Sequence, residues 1–233
     1  MENSLEGKTA VVTGGLVGTE LAENFLTNGC NVGFVYRSPG RKNELKKRFE
    51  SYGRKFLLIR ADLSKEGSAE AAVNRVLNRF GQVDFLLNAL GGWLGGKRLH
   101  EHSLKDLENM LSIDLIPTFN IMKAVLPYMI KQRFGKIVNF ISMQIYESGA
   151  KNSVYAASKS AVDALSRAAT REYLEDGVSV FTIAPSIIDT RVNRSSGSLR
   201  WVTPKEIADA VLFLCRDMES GSGTTLKFPG KMT

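Results

Sequence analysis

Apolar residues along the chain follow two alternating patterns: short unbroken runs, and longer stretches in which they recur every three or four positions. The runs at 8–13, 31–36, 55–60, 83–88, 135–141, 178–184 and 224–228 predict strands, and their continuity points to burial on both faces. Helical spacing fills the intervals over 18–28, 41–52, 65–80, 103–131, 153–175 and 204–216. Strand and helix signals therefore alternate from end to end, without a composition break or an internal repeat. That order predicts an α/β chain folded as a doubly wound parallel sheet of about seven strands, with helices on both faces. In such a sheet the first and fourth strands lie side by side where the strand order reverses, and ligands bind beyond their carboxyl ends.

Two joints in this pattern carry residues that packing alone does not require. After the run KTAVVT come Gly14, Gly15 and Gly18, then a helical stretch. Strand, glycine turn and helix in that order let backbone N–H groups approach a pyrophosphate, which the helix N-terminus also favours electrostatically. Glycines end strands for other reasons too, so the turn gains its meaning from its place at the start of an alternating chain. The second joint runs from Ser142, at the end of the strand KIVNFI, to Tyr155 and Lys159 on the next helix. The last two stand at i and i+4 and share one face. A phenol with a pKa near ~10 is a poor acid-base group at neutral pH unless a positive charge favours its anion. Lys159 can supply that charge, and the Ser142 hydroxyl can hold a substrate oxygen against the phenol. Taken alone, Tyr-x-x-x-Lys equally fits the start of an ordinary amphipathic helix.

Together these segments resemble the short-chain dehydrogenase/reductase family over essentially the whole chain. Thr13, Gly14 and Gly18 are in register with that family's Thr-Gly-x-x-x-Gly-x-Gly turn, and Asn88, Ala89, Leu90 and Gly91 with its Asn-Asn-Ala-Gly segment. Pro185 and Thr190 match a Pro-Gly-x-x-x-Thr loop that borders the nicotinamide, and the interval from Ser142 to Tyr155 is the family's. The resemblance implies one Rossmann-type domain, its cofactor half mainly 1–135 and its catalytic and substrate half mainly 136–233. It implies Ser142, Tyr155, Lys159 and Asp114 as the catalytic set. The implied cofactor contacts are Thr13, Gly14, Gly15, Val17, Gly18, Tyr36, Arg37, Ser38, Asp62, Leu63, Asn88, Ala89, Gly91, Tyr155, Lys159, Pro185, Ile188 and Thr190, with Asp62 placed at the adenine edge. At the second strand's end an acid would bond the NAD 2′-hydroxyl, whereas an arginine can pair with the NADP 2′-phosphate. Tyr36-Arg37-Ser38 supplies no acid, so NADP is the expected cofactor. The implied reaction is reduction of a carbonyl or imine of a small molecule by NADPH, with Tyr155 donating the proton.

Four departures bear on this expectation. Glu20 stands where the family's last turn glycine would be; it either crowds the pyrophosphate or points away and caps the helix's first turn. Asp114 takes the place of a helix asparagine that, in the family, helps hold a water on the catalytic lysine. Its charge would stabilise Lys159 and offset the pull of that lysine on Tyr155. Ala89 and Leu90 alter the Asn-Asn-Ala segment, and Ser186 replaces the proline loop's glycine. Trp93, Gln144, Tyr146 and Arg191 are candidate walls of a substrate pocket, Trp93 in a flexible loop GGWLGG above the fourth strand. That loop, with DTRVNR and WVTP, is also similar to the dihydropteridine reductase branch, from which Arg37 and Ser142 depart. A nucleotide-binding regulatory subunit without turnover is the reading from another class. Glu20 and Asp114 favour it, and the retained Ser142, Tyr155 and Lys159 oppose it.

Composition changes the picture little. A chain of 233 residues with 43% hydrophobic content can bury one large core. The net charge of +7 invites a nucleic-acid partner, but Arg37, Arg41, Lys42, Lys46, Lys47 and Arg48 lie on a stretch with an ordinary solvated helix face, and none is expected. Cys30 and Cys215 have no metal-ligand spacing and read as buried reduced thiols, so no metal is expected. His100 and His102 read as surface residues. No apolar run long enough to span a bilayer is evident, and MENSLEGK lacks a signal pattern, which points to a cytoplasmic protein without membrane partners. Family resemblance and an apolar final strand, TTLKF, at a sheet edge imply a homotetramer or homodimer.

Overall fold

The structure, a computed structural model, describes residues 5–147, 149–190, 193 and 200–232, with backbone alone at 200, 231 and 232. One parallel sheet holds β1 (Thr9–Gly14), β2 (Asn31–Tyr36), β3 (Phe56–Arg60), β4 (Phe85–Ala89), β5 (Gly135–Phe140), β6 (Val178–Pro185) and β8 (Thr225–Phe228). Their spatial order is β3-β2-β1-β4-β5-β6-β8, so the switch point falls between β1 and β4. A separate antiparallel pair joins β7 (Arg200–Trp201) to β9 (Lys231–Met232). The helices are α1 (Leu16–Thr27), α2 (Lys42–Phe49), α3 (Ser68–Phe80), α4 (Leu104–Gln132), α5 (Gln144–Glu147), α6 (Ser153–Tyr173) and α7 (Pro204–Arg216).

Strand alternation distributes the core between two layers. Ala10, Val12, Phe85, Leu87 and Val138 face α1 and α7, meeting Leu21, Phe25, Ile207 and Val211. Val11, Leu86, Ile137 and Val180 face the opposite way, onto Val73 and Val76 of α3 and Ile121 and Val125 of α4. Both faces of the central strands are thus covered, which is why their sequences lack a polar alternation.

Boundaries shift where glycine chemistry intervenes. α2 stops at Phe49, and a run of 3-10 turns over Glu50–Lys55 follows, kinked at Gly53 with φ 52°. α3 begins only at Ser68, behind a left-handed Gly67. The short α5 and the β7–β9 pair have no counterpart in the sequence pattern, being too short to establish a period.

Three expectations need correction. α4 is long and apolar enough, at a mean hydropathy of 1.2 over its best window, to cross a membrane by length and composition. Half of that window is buried, against α3, α6 and the sheet, and its polar residues are interspersed so that no unbroken run betrays it. His102 is not a surface residue: its side chain is 2% exposed and its Nδ1 lies 3.2 Å from Asp106, the residue that closes the capping box of α4 with Ser103. The basic stretch does not form one solvated face either. Arg48 pairs with Glu20 and Glu23 of α1, Arg41 turns toward the glycine turn, and Lys42, Lys46 and Lys47 remain exposed.

Lys136 is a buried cation in β5 with a structural task. Its ammonium donates to the carbonyls of Leu214, Cys215 and Met218 at 3.3, 2.9 and 2.7 Å, closing the C-terminal end of α7. The other end of that helix is closed by a Thr203–Glu206 capping box with Pro204 in its first turn.

Candidate active site

The crevice begins where β1 and β4 approach most closely. Gly14 has φ +115°, and a Cβ there would run into the carbonyl of Ala89. Gly18 sits buried in the first turn of α1, against the Thr13 carbonyl. Gly15 faces open space, and the first N–H groups of α1, from Leu16 on, have no acceptor within the helix. Behind this opening runs a buried polar chain. Thr13 Oγ1 donates to Asn88 Oδ1 at 2.8 Å, Asn88 Nδ2 to Asn139 Oδ1 at 3.1 Å, and Asn139 Nδ2 to Ser166 Oγ at 2.9 Å. The side chains of Thr13 and Asn88 therefore join β1, β4, β5 and α6 and do not line the crevice.

Two cavities meet at Gly15, Leu90 and Gly91. The smaller, of about 200 Å³, lies over the ends of β1 to β3 between Gly14, Tyr36, Arg37, Ser38, Arg41, Asp62 and Leu63. Arg41 is held in it by bonds from its guanidinium to Thr19 Oγ1 at 2.9 Å and to the Gly14 carbonyl at 3.4 Å. Asp62 is locked by Ser64, whose hydroxyl and N–H donate to Oδ1, and these bonds keep its carboxyl below the ordinary range; Arg37 adds to that effect. Glu20 points away from the cavity onto Arg48, 2.6 Å distant, and does not cap α1. The larger cavity, of about 590 Å³, runs from Gly15, Val17 and Ala89 past Ser142, Tyr155 and Lys159 to Pro185, Ile188 and Thr190.

At the centre of the larger cavity the joints bring three groups together. Ser142 follows β5, and its Oγ accepts the Gln144 N–H at 3.2 Å, fixing the hydroxyl at the strand's end. Lys159 is buried, its ammonium donating to the carbonyls of Leu90 and Phe140 at 3.1 and 3.2 Å. Asp114, wholly buried on α4, lies 3.4 Å from the same nitrogen, accepts the Gly92 N–H at 3.2 Å and accepts the Ser158 hydroxyl at 2.6 Å. Gly91 is needed here, because a Cβ at its φ of +152° would lie 2.6 Å from Lys159 Nζ. Desolvation pushes the Tyr155 phenol above its ordinary value, the Ser142 hydrogen bond pulls it back, and Asp114 pushes it up again. Desolvation drives Lys159 down, and Asp114 holds it up.

The outer wall is a latch between two loops. Trp93 lines the cavity yet is 66% exposed; its Nε1 donates to Asn152 Oδ1 at 3.1 Å, and Asn152 Nδ2 donates to Gln144 Oε1 at 3.3 Å. Gly96 N–H further donates to the Lys151 carbonyl at 2.9 Å, so the GGWLGG loop is pinned at several points. Tyr146 is not part of this wall: its ring lies under the Lys227 ammonium, 3.7 Å from the centroid. Arg191 lies outside the described residues. Sequence reasoning missed Asn152, Ser158 and the inward turn of Arg41. Asn152 precedes α6 with no spacing signal of its own, and Arg41 was indistinguishable from its exposed basic neighbours. Ser186, at the proline loop, lines the cavity with a buried Oγ that has no hydrogen-bond partner.

A Rossmann-type sheet with a glycine turn at its switch point and a Ser, Tyr and Lys cluster beside it defines a class, and comparison with known proteins agrees. The profile described as short chain dehydrogenase matches residues 8–200, and the chain belongs to that family of oxidoreductases. It is 31% identical over 230 residues to the 2-dehydro-3-deoxy-D-gluconate 5-dehydrogenase of Escherichia coli, covering 91% of this chain and 89% of the relative. It is 29% identical over 252 residues to glucose 1-dehydrogenase 2 of Bacillus subtilis, covering 100% and 97%. Among solved structures it superposes on ElxO with NADP bound at a TM-score of 0.88 and 25% identity, covering 95% of this chain and 96% of that one. The family match does not distinguish among branches, dihydropteridine reductases included.

Proposed function

We propose that this protein is an NADPH-dependent reductase of a carbonyl or imine group on a small molecule, with Tyr155 as the proton donor. The observation that carries the reading is the single crevice running from Arg37 and Arg41, through the glycine turn, to Ser142, Tyr155 and Lys159. A dinucleotide fits its donor set. The free N–H groups of α1 suit a pyrophosphate, Arg37 with Ser38 suits a 2′-phosphate, Asp62 suits the adenine edge, and Lys159 with Tyr155 suits the ribose next to the nicotinamide. The unpartnered Ser186 Oγ borders the same end. The NADP named for the solved relative supports this choice. In this reading residues 1–135 mainly hold the cofactor and residues 136–233 mainly hold the substrate.

Bound NADPH supplies the hydride that adds to the substrate carbon. The Ser142 hydroxyl orients the substrate oxygen or nitrogen, Tyr155 delivers its phenolic proton to that atom, and Lys159 stabilises the phenolate that remains. Trp93, Gln144 and Asn152 restrict the mouth. Buried, unpaired Cys30 and Cys215 suit a reducing, cytoplasmic setting, and the protein acts as a homodimer or homotetramer.

The test pairs fluorescence titration of NADPH with its oxidation over a panel of aldehydes, ketones and imines. The parent should turn over at least one panel member, and Tyr155→Phe should lose most turnover, on the order of 10²–10⁴-fold, while still binding NADPH. Undiminished turnover in that variant would assign the proton to another group, and binding without turnover across the panel would favour the regulatory-subunit reading.

A further inference from the structure

The feature that the reductase reading does not use is the charge balance behind Tyr155. Lys159 and Asp114 form a buried ion pair, 5% and 0% exposed at their side chains, with Nζ and Oδ1 3.4 Å apart. The carboxylate is fully committed: one oxygen faces Lys159 and the Gly92 N–H, the other accepts from Ser158 at 2.6 Å. α6 contributes Lys159, Ser158 and Tyr155, and α4 contributes Asp114 with neutral Thr118, whose hydroxyl is turned onto the Asp114 carbonyl. β4 and its loop bring the Leu90 carbonyl and Gly92 N–H, and β5 brings the Phe140 carbonyl and the Ser142 hydroxyl. Asp163, also on α6, is committed to Arg167 at 3.0 Å. The pair is neutral overall, Tyr155 lines the same cavity as Lys159, and the charge that acts on its phenol is that of Asp114, which pushes it up.

We propose that Asp114 is a positioning residue that neutralises Lys159 and thereby keeps Tyr155 protonated, extending into alkaline pH the range over which this site can donate a proton. The inference rests on the proposed role of Tyr155. A lone lysine beside the phenol favours the phenolate, which is the form that accepts a proton in the oxidative direction; a lysine paired with a carboxylate at this distance favours it much less. The equilibrium between substrate and product is untouched. What changes is the pH range over which each direction runs. Reduction needs the phenol and holds its rate into alkaline pH, whereas oxidation needs the phenolate and rises only there.

The variant Asp114→Asn is nearly isosteric. Its amide oxygen can still accept from Gly92, and the Ser158 hydroxyl can accept from its NH₂ while donating to the Tyr155 carbonyl, 2.9 Å away. Ionisation of Tyr155 is read in the cofactor-free protein by ultraviolet difference titration, subtracting the curve of Tyr155→Phe so that the remaining tyrosines cancel. The parent should show no Tyr155 phenolate below pH of about 10. Asp114→Asn should bring its midpoint down by about one unit or more, and Asp114→Glu, which keeps the charge, should stay near the parent. A Tyr155 midpoint below about 10 in the parent overturns the proposal, and this arm stands even if Asp114→Asn fails to fold. Equal midpoints in parent and Asp114→Asn overturn it as well, leaving Asp114 a tether for the Gly92 loop. With a substrate in hand, Asp114→Asn should move the alkaline fall of the reductive rate and the levelling of the oxidative rate down together by about one pH unit or more; limbs that stay where the parent has them count against the proposal. Absence of turnover on every substrate is a failure of the reductase reading, and the titration still decides the role of Asp114.

Discussion

Arg37 and Arg41 face the same small cavity but are held differently. Arg37 is exposed at the end of β2, free to close on an anion, whereas Arg41 is anchored on Thr19 and the Gly14 carbonyl. Arg37→Asp should weaken NADPH binding by roughly 1–3 kcal/mol and leave NADH nearly unaffected, as measured by parallel fluorescence titrations. Equal losses for both cofactors would make Arg37 part of the basic surface only. Single residues were legible in the sequence where they carry chemistry at fixed spacing, as Ser142, Tyr155 and Lys159 do. They were not where their meaning depends on a partner distant in the chain. Glu20 looked like a threat to a phosphate because nothing in its neighbourhood announces Arg48.

At the scale of elements, the strand and helix order was readable almost throughout, since buried parallel strands and amphipathic helices have different periods. What escaped was local: the halt of α2 before Gly53, the late start of α3 behind Gly67, and the one-turn α5. The joints between elements are where substitutions should cost most. Gly14→Ala would drive a methyl group into β4 at a φ that disfavours side chains, and a loss of at least ~2 kcal/mol is expected in urea unfolding. Lys136→Met would strip the buried donors from the end of α7, at about 1–3 kcal/mol, with the midpoint lowered and the denaturant slope unchanged. An unaltered midpoint in the second variant would mean that water or a neighbouring donor replaces the ammonium.

For the whole molecule, the groove between α4 and α6 is one apolar surface among the described residues that burial leaves unfinished. It is lined by Phe119, Met122, Leu126, Pro127 and Leu165 with Lys123 and Glu172 at its rim, and Phe119 is 48% exposed. A second copy packing α4 and α6 against their equivalents would cover it, so light scattering should give a mass of two or four chains of 25.7 kDa. Phe119→Asp should shift that mass toward one chain, and a parent already at one chain would refute the assembly. The sheet ends in β8, also as the sequence pattern implied, but there Lys227 is drawn over Tyr146, so this edge is less bare than its apolar sequence suggested.

The polar chain from Thr13 through Asn88 and Asn139 to Ser166 gives this molecule a seam that is set before any ligand arrives. Each side chain in it is buried and hydrogen-bonded, and together they cross β1, β4, β5 and α6 under the floor of the crevice. Opening the floor would expose all of these groups at once, so the backbone amides of β4 and β5 should exchange with deuterium only through global unfolding, while those of the 91–96 loop exchange much sooner. A ligand docking on such a floor gives up little chain entropy, and its residence time is then governed by the Trp93, Asn152 and Gln144 latch at the rim.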